Sequence, residues 1–250
     1  MDDGPGYFDE WPNWSPSGDS LIDYANTDRS AKFGKDELVM QVSDGSGPPQ
    51  TIWANTEIRN AFEMNAIRWS RNGVWLVFNV NDPETVQDIW MLPMMGTRTP
   101  KPFLRGVSDE ITPSLSHDSR YVAYTSNESG RWEVYVVRFP SGEGRNQVSK
   151  NGGVLPRWRE NELFYIENNT MMSVAVDTRF GPGIPQPLFT SDRARVQLHV
   201  SPSSAIPPTD LDYDVTRDGQ RFGMTQELGD DETPTITFVQ NWFKEFEGRN

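Results

Sequence analysis

Few side chains in this sequence could carry out catalysis. Its 250 residues include two histidines and no cysteine, which excludes thiol catalysis, disulfides and cysteine-ligated zinc. Ser116-His117-Asp118 has the composition of a hydrolase triad, but consecutive side chains cannot form the relay, because triads are assembled from separate parts of a fold. We therefore predict that His117 is an exposed turn residue and that His199 lies in a polar, proline-rich surface loop. No catalytic residue is predicted.

Alternating acidic residues near the end of the chain could suggest a calcium loop. Asp210, Asp212 and Asp214 have the required spacing, but the loop also needs glycine at its sixth position and glutamate at its twelfth. This chain has Val215 and Arg221 at those two positions. The pattern is therefore predicted to be a charged edge, and neither a metal nor a cofactor is expected.

The overall charge narrows the possible partners. The chain carries 23 basic and 36 acidic residues, a net charge of −13. This balance opposes binding to nucleic acid, which needs a basic surface to displace counterions from phosphates, and it disfavours an anionic membrane. No apolar run approaches the roughly 18 residues of a membrane helix. The start, Met1-Asp2-Asp3-Gly4, does not resemble a signal peptide, so we expect either a cytosolic protein or part of a longer chain.

A motif recurs five times along the chain, with openings near residues 12, 67, 113, 156 and 213. Its clearest copies are Pro12-Asn13-Trp14-Ser15-Pro16-Ser17-Gly18 and Ile67-Arg68-Trp69-Ser70-Arg71-Asn72-Gly73. We call the residue at the tryptophan position of each copy the anchor residue. The five anchor residues are Trp14, Trp69, Leu115, Trp158 and Val215, at spacings of 55, 46, 43 and 57 residues. Such a period is typical of four-stranded propeller blades.

Each copy also contains the elements of such a blade. A turn of serine, asparagine, aspartate or glycine follows the anchor residue and leads into an apolar strand such as Trp75-Leu76-Val77-Phe78. A third strand follows, and often a short fourth, such as Gln147-Val148-Ser149 or Pro187-Leu188-Phe189. The only helix predicted is Trp242–Phe246. The sequence therefore predicts an all-β fold, a single β-propeller domain over residues 1–250 with four-stranded antiparallel blades, five repeats being visible.

The tryptophans and two acidic pairs are candidates for packing or for binding. Tryptophans at repeat positions are predicted to be buried between blades: Trp14, Trp69, Trp90 and Trp158. The less regular ones are candidates for an exposed binding residue: Trp11, Trp53, Trp132 and Trp242. Asp9-Glu10 and Asp109-Glu110 precede repeat openings and either surround one mouth of the propeller or are solvated loop charges, which is the favoured interpretation. No binding residue can be specified.

These residues resemble the TolB-like β-propeller repeat. The resemblance is carried by the Pro-x-Trp-Ser-x-x-Gly opening and by third strands such as Asp88-Ile89-Trp90-Met91-Leu92 and Glu133-Val134-Tyr135-Val136-Val137. Over roughly the last 140 residues, from Gly130–Pro140 to Val239–Phe243, the order of motifs is also similar to the C-terminal propeller of bacterial serine/threonine protein kinases. The glycine-rich loop, His-Arg-Asp and Asp-Phe-Gly motifs of a kinase domain are absent from the sequence.

The resemblance implies a non-catalytic function. It implies a sensor or scaffold that binds a protein, a peptide or a small ligand, outside the cytoplasm, in a bacterial receptor-type kinase or a TolB-like protein. A monomer is expected. The alternative is the propeller domain of a prolyl-oligopeptidase-like or lactonase-like hydrolase. Such propellers usually have six or seven blades, so five openings leave three options: a missing N-terminal piece, a degenerate blade or a five-bladed ring.

Overall fold

The computed structural model describes residues 10–26, 36–54, 64–82, 84–176, 181–194, 198, 213–216, 219–225 and 236–240. These residues form nineteen strands and one four-residue helix, α1 (Ser191–Ala194). Strands and their connecting turns therefore account for nearly all of the described structure, as the repeat predicted.

The strands form five antiparallel sheets, which follow one another along the chain. The first is β1 (Glu10–Trp14), β2 (Ser20–Asn26), β3 (Asp36–Val42) and β4 (Gln50–Ala54); the second is β5 (Met64–Trp69), β6 (Trp75–Asp82), β7 (Val86–Pro93) and β8 (Lys101–Leu104). The third is β9 (Glu110–Leu115), β10 (Tyr121–Ser126), β11 (Glu133–Arg138) and β12 (Asn146–Gln147). The fourth is β13 (Val154–Arg159), β14 (Glu162–Glu167), β15 (Thr170–Ala175) and β16 (Gln186–Thr190), and the fifth is β17 (Tyr213–Val215), β18 (Arg221–Thr225) and β19 (Ile236–Gln240).

Within each sheet the strands lie in chain order, so each pairs with the next through a hairpin. Two compact units can be distinguished: residues 1–115 with 140–142, and residues 116–139 with 143–250. Each unit has its own apolar core. In the first unit the core includes Leu38, Leu76 and Phe78, all 0% exposed. In the second it includes Leu163 and Tyr165, also 0% exposed.

The turn after the anchor residue is built in the same way in four of the five repeats. The hydroxyl group of its first residue accepts a hydrogen bond from the backbone N–H five residues later. The four pairs are Ser15 with Ser20 at 3.1 Å, Ser70 with Trp75 at 2.8 Å, Ser116 with Tyr121 at 3.0 Å, and Thr216 with Arg221 at 3.1 Å. The fourth residue of these turns is Gly18, Gly73, Ser119 or Gly219, with φ between 57° and 76°. Glycine suits this left-handed backbone, because it has no Cβ to clash.

The first strand of three sheets contains a bulge at a residue other than glycine. Ala66, Thr112 and Leu155 each lie three residues before the anchor residue and have φ of 51°, 52° and 56°. A polar side chain of the preceding sheet supports two of these bulges. Asn79 accepts a hydrogen bond from the Thr112 N–H at 2.9 Å, and Thr125 accepts one from the Leu155 N–H at 3.2 Å. Each contact lies within a single unit and satisfies a backbone group that the bulge removes from the strand ladder.

Comparison with the sequence predictions confirms the all-β fold with its antiparallel four-stranded sheets. The burial of the tryptophans was only partly predicted. Trp90 and Trp158 are buried, at 9% and 5% exposed, and Trp69 is half-buried against the first core. The prediction is wrong for Trp14, which is 56% exposed although it pairs with Leu21 in the ladder between β1 and β2.

Two of the irregular tryptophans are buried, so neither is the exposed member of that group that would be a binding candidate. Trp53 and Trp132, which we considered as exposed binding residues, are 9% and 2% exposed. The side chains of Trp11 and Trp242 lie outside the described residues, as do His199 and the predicted Trp242–Phe246 helix.

Candidate functional site

A cleft of about 230 Å³ lies in the second unit, beside the turns of two successive repeats. One wall is the turn that precedes β10, and the other is the turn between β13 and β14. Nine of the described residues line the cleft: Ser116, His117, Asp118, Arg120, Tyr121, Trp158, Glu160, Asn161 and Val176. Its most buried lining residues are Ser116, Trp158 and Val176, at 4%, 5% and 7% exposed, so the floor combines two apolar side chains with one hydroxyl group. The rim is polar and charged.

One wall of the cleft is the single turn that departs from the repeat. In the second sheet Trp69 pairs with Leu76, so six residues separate the anchor residue from its partner. In the fourth sheet Trp158 pairs with Leu163, and only four residues separate them. The shorter turn reverses the chain at Glu160, whose φ is 50°. This short turn contributes Glu160 and Asn161 to the lining of the cleft.

The opposite wall is held rigid by hydrogen bonds. The Ser116 hydroxyl donates to Asp118 at 2.7 Å, and the Arg120 Nε donates to the second oxygen of Asp118 at 2.6 Å. Burial opposes the ionisation of Asp118, but these hydrogen bonds and the Arg120 charge outweigh it and hold the pKa of Asp118 below its usual value. The Arg120 guanidinium also lies 5.8 Å from the centre of the Tyr121 ring. Asp118 therefore stays ionised and its charge is compensated.

Glu160 differs from Asp118, because no described residue compensates its charge. Its side chain is exposed on the short turn, and no hydrogen bond or ion pair engages it within the described part of the chain. The charged groups of the lining are thus two carboxylates and one guanidinium, and the guanidinium is already paired with Asp118. The cleft therefore presents a negative charge above a floor that includes Trp158 and Val176.

The apparent triad has a structural role. Ser116 hydrogen-bonds to Asp118 and to the Tyr121 N–H, which is the geometry of the repeated turn and not of a nucleophile. His117 is exposed in this turn, as predicted, and it lines the cleft. Sequence reasoning missed the cleft, although the missing pair of residues after Trp158 was a visible signal.

The remaining acidic candidates do not form a site within the described residues. Glu110 is 6% exposed and so is neither a solvated loop charge nor part of a rim. Asp214 is exposed at the edge of β17 and pairs with Arg159. Asp9, Asp210 and Asp212 are outside the described residues, and so is the side chain of Glu10. Among the residues described, no group of three histidine, aspartate or glutamate side chains could hold a metal ion.

Two buried carboxylates that sequence reasoning overlooked occupy equivalent positions. Asp88 and Glu133 each stand near the start of a third strand, opposite Val80 and Ser126 of the second strand. Both side chains are 0% exposed. Each accepts hydrogen bonds from its own unit, Asp88 from Thr85 at 2.5 Å and Glu133 from Arg131, Ser149 and the Gly152 N–H. These contacts tie the third strand to nearby loops, so we assign both carboxylates to structure.

Comparison with solved structures defines the fold class. The chain matches TolB from Acinetobacter baumannii at 14% identity and a TM-score of 0.64, over 94% of this chain and 52% of that chain. It matches the β-propeller domain of the Trilobed protease from Pyrococcus furiosus at 12% identity and a TM-score of 0.56, over 94% and 70% of the two chains. It matches a puromycin-hydrolyzing peptidase from Mycobacterium tuberculosis at 14% identity and a TM-score of 0.58, over 94% and 45%.

These matches show that the fold is a β-propeller with antiparallel blades, of the kind found in TolB. At such low identity they show the fold alone. No protein-family model matches the chain, and no curated protein matches it. The chain spans about half the length of the TolB structure from Acinetobacter baumannii. No helix in the described parts of the chain has the length and apolar character needed to cross a membrane.

Proposed function

We propose that this chain is a non-catalytic propeller that binds a protein partner through the cleft beside the short turn. The observation that carries the proposal is the Glu160 carboxylate, which has no partner among the described residues and lies in a cleft with the buried Trp158. Rigid scaffolds that present loops are well suited to binding. In support, the Ser116-His117-Asp118 run is used to build a turn and offers no nucleophile.

We further propose that the parent protein is a receptor-type serine/threonine kinase or a TolB-like protein and that the propeller lies outside the cytoplasm. The motif order of roughly the last 140 residues supports the kinase version. The genomic reading frame tests it directly: a kinase domain and a membrane helix upstream would support the kinase version, and a signal peptide would support the TolB-like version. A reading frame that encodes a cytosolic protein, with neither a membrane helix nor a signal peptide, would contradict both the kinase version and the TolB-like version.

A photo-crosslinking amino acid placed at Asn161 tests the binding role in cells of the source organism. Asn161 lines the cleft, whereas Asn146 begins β12 and does not line it, so Asn146 is the matched control position. We expect an adduct at position 161 that is absent at position 146. Equal labelling at both positions, or none at 161, would contradict binding at the cleft.

The second candidate function is the propeller domain of a hydrolase. The observation that favours it is the structural similarity to propellers of two proteolytic enzymes. In both comparisons this chain aligns with only part of the longer enzyme chain. It predicts a hydrolase domain in the same reading frame. If the purified chain itself hydrolysed ester, lactone or peptide substrates, the non-catalytic proposal would be overturned.

A further inference from the structure

We infer that the cleft binds one basic side chain, a lysine or an arginine, from an extended segment of the protein partner. This inference rests on the proposed binding function and specifies its chemistry. It is based on three properties of the cleft: its size, its charge and the shape of its floor.

The size of the cleft favours one side chain over a free small molecule. Sites for small ligands usually enclose about 300–1,000 Å³, and this cleft encloses about 230 Å³. Its mouth lies between two turns at the surface, so a bound side chain can remain attached to a backbone that runs across the rim. The cleft thus fits a single long side chain presented by another protein.

The charge of the cleft favours a cation. Arg120 is already paired with Asp118, so the described residues of the lining include no free cation with which to bind an anion. Glu160 has no partner among the described residues and is free to pair with an incoming ammonium or guanidinium group. The net charge of −13 for the whole chain adds a favourable long-range attraction for basic segments.

The floor favours the aliphatic stem of such a side chain. Trp158 and Val176 line the cleft but are nearly covered, so little of either side chain is exposed to it. Tyr121 is half-buried, and Arg120 lies over its ring. A flat sugar or base needs an open aromatic face, which these residues do not offer. Lysine and arginine place an apolar stem along such a surface and keep the charge at its polar end, here close to the rim that carries Glu160.

A peptide titration followed by NMR tests the inference. The probes are acetyl-Ala-Ala-Lys-Ala-Ala-amide and its counterparts with norleucine or glutamate in place of lysine. The indole N–H signal of Trp158, assigned through Trp158→Phe, reports binding at the cleft. We expect the lysine peptide to shift this signal and to bind about two- to fivefold more tightly than the norleucine peptide, the factor typical of one exposed ion pair. Equal affinity of the two peptides would overturn the inference.

Two variants separate the cleft from general electrostatics. Glu160→Gln should weaken the lysine peptide about two- to fivefold. Glu162→Gln removes the same charge at a nearby residue that does not line the cleft. It should leave the affinity for the lysine peptide within about twofold of the wild-type value. A third variant, in which Glu160-Asn161 is replaced by the four-residue segment Arg71-Asn72-Gly73-Val74, restores the length of the other turns and should abolish the shift.

The outcomes distinguish this inference from the proposed function. An unchanged affinity in Glu160→Gln, or glutamate binding as tightly as lysine, would overturn the basic-side-chain inference. If a crosslink at position 161 still formed in either case, binding at the cleft would stand with a different ligand chemistry. Loss of both the crosslink and the peptide shift would overturn both.

Discussion

Removing the indole of Trp158 should destabilise the protein far more than removing that of Trp14, although both are anchor residues. Trp158 is 5% exposed, so nearly all of the roughly 150–250 Å² of a tryptophan is buried. At about 25 cal/mol per Å², this burial contributes roughly 4–6 kcal/mol as an upper limit. Truncations of buried aromatic residues lose about 3–5 kcal/mol, and we expect that loss for Trp158→Ala.

Trp14 provides the matched comparison, because it is the same residue at the same position of the motif. It is 56% exposed and buries less than half of the same area, so Trp14→Ala should lose only about 1–2 kcal/mol. The predicted difference between the two variants is therefore about 1–4 kcal/mol. It arises from packing alone, since both substitutions remove the same atoms.

Urea denaturation followed by circular dichroism measures both losses. The comparison is valid if the slope of the unfolding free energy against urea is unchanged, because a changed slope would indicate a changed unfolded state or an intermediate. Equal losses for the two variants, or a larger loss for Trp14→Ala, would refute the burial assigned to these anchor residues. A Trp158→Ala loss below about 1 kcal/mol would place Trp158 at the surface.

Three further predictions concern strain, buried hydrogen bonds and pH. Ser119→Gly should raise the unfolding free energy by about 0.5–1 kcal/mol, because the φ of 57° is unfavourable for a residue with a Cβ; a loss of stability in urea would contradict this. Asn79→Ala should lose about 2–4 kcal/mol, since it leaves two buried backbone groups without their partner; a loss below about 1 kcal/mol in the same assay would show that water replaces the amide. Burial raises the pKa of Asp88, so its ionisation costs native-state stability as the pH rises through that pKa. The stability of the wild type relative to Asp88→Asn should therefore be greater at pH 4 than at pH 7, and an unchanged difference would contradict the raised pKa.

The strands and turns could be predicted because their causes are local. The hydroxyl group that closes each turn and the backbone group that it binds are five residues apart, and the glycine needed for the left-handed position is in the same segment. Apolar strands on either side complete a hairpin that requires no information from elsewhere in the chain. This is why repeats of differing length were still recognised.

The bulges and the buried acids could not be predicted, because their causes are distant. The left-handed backbone is unfavourable for a β-branched residue such as Thr112. The hydrogen bond to Asn79, thirty-three residues away, stabilises this conformation. Asp88 and Glu133 look in the sequence like ordinary charged residues at the start of a strand. Only the structure shows that they are fully covered and that loop groups donate hydrogen bonds to them.

In the cleft, too, some features can be predicted from the sequence and others are seen only in the structure. The shortened turn after Trp158 can be counted in the sequence, and so can its acidic residue, Glu160. The structure adds that the turn preceding β10 lies opposite, that Arg120 neutralises Asp118, and that no described residue neutralises Glu160. The identity of the groups is a property of the sequence, whereas their pairing depends on which turns become neighbours.

By itself, the sequence determined the all-β class, the repeat and the chemistry of the turns, because these follow from contacts between residues a few positions apart. Tertiary structure alone decided which anchor residues are buried, which carboxylates are covered and which carboxylate of the cleft has no partner among the described residues. Burial and charge compensation depend on the surface that a neighbouring sheet presents. Trp14 and Trp158 therefore occupy the same position of the repeat, but the first is exposed and the second is buried beside the cleft.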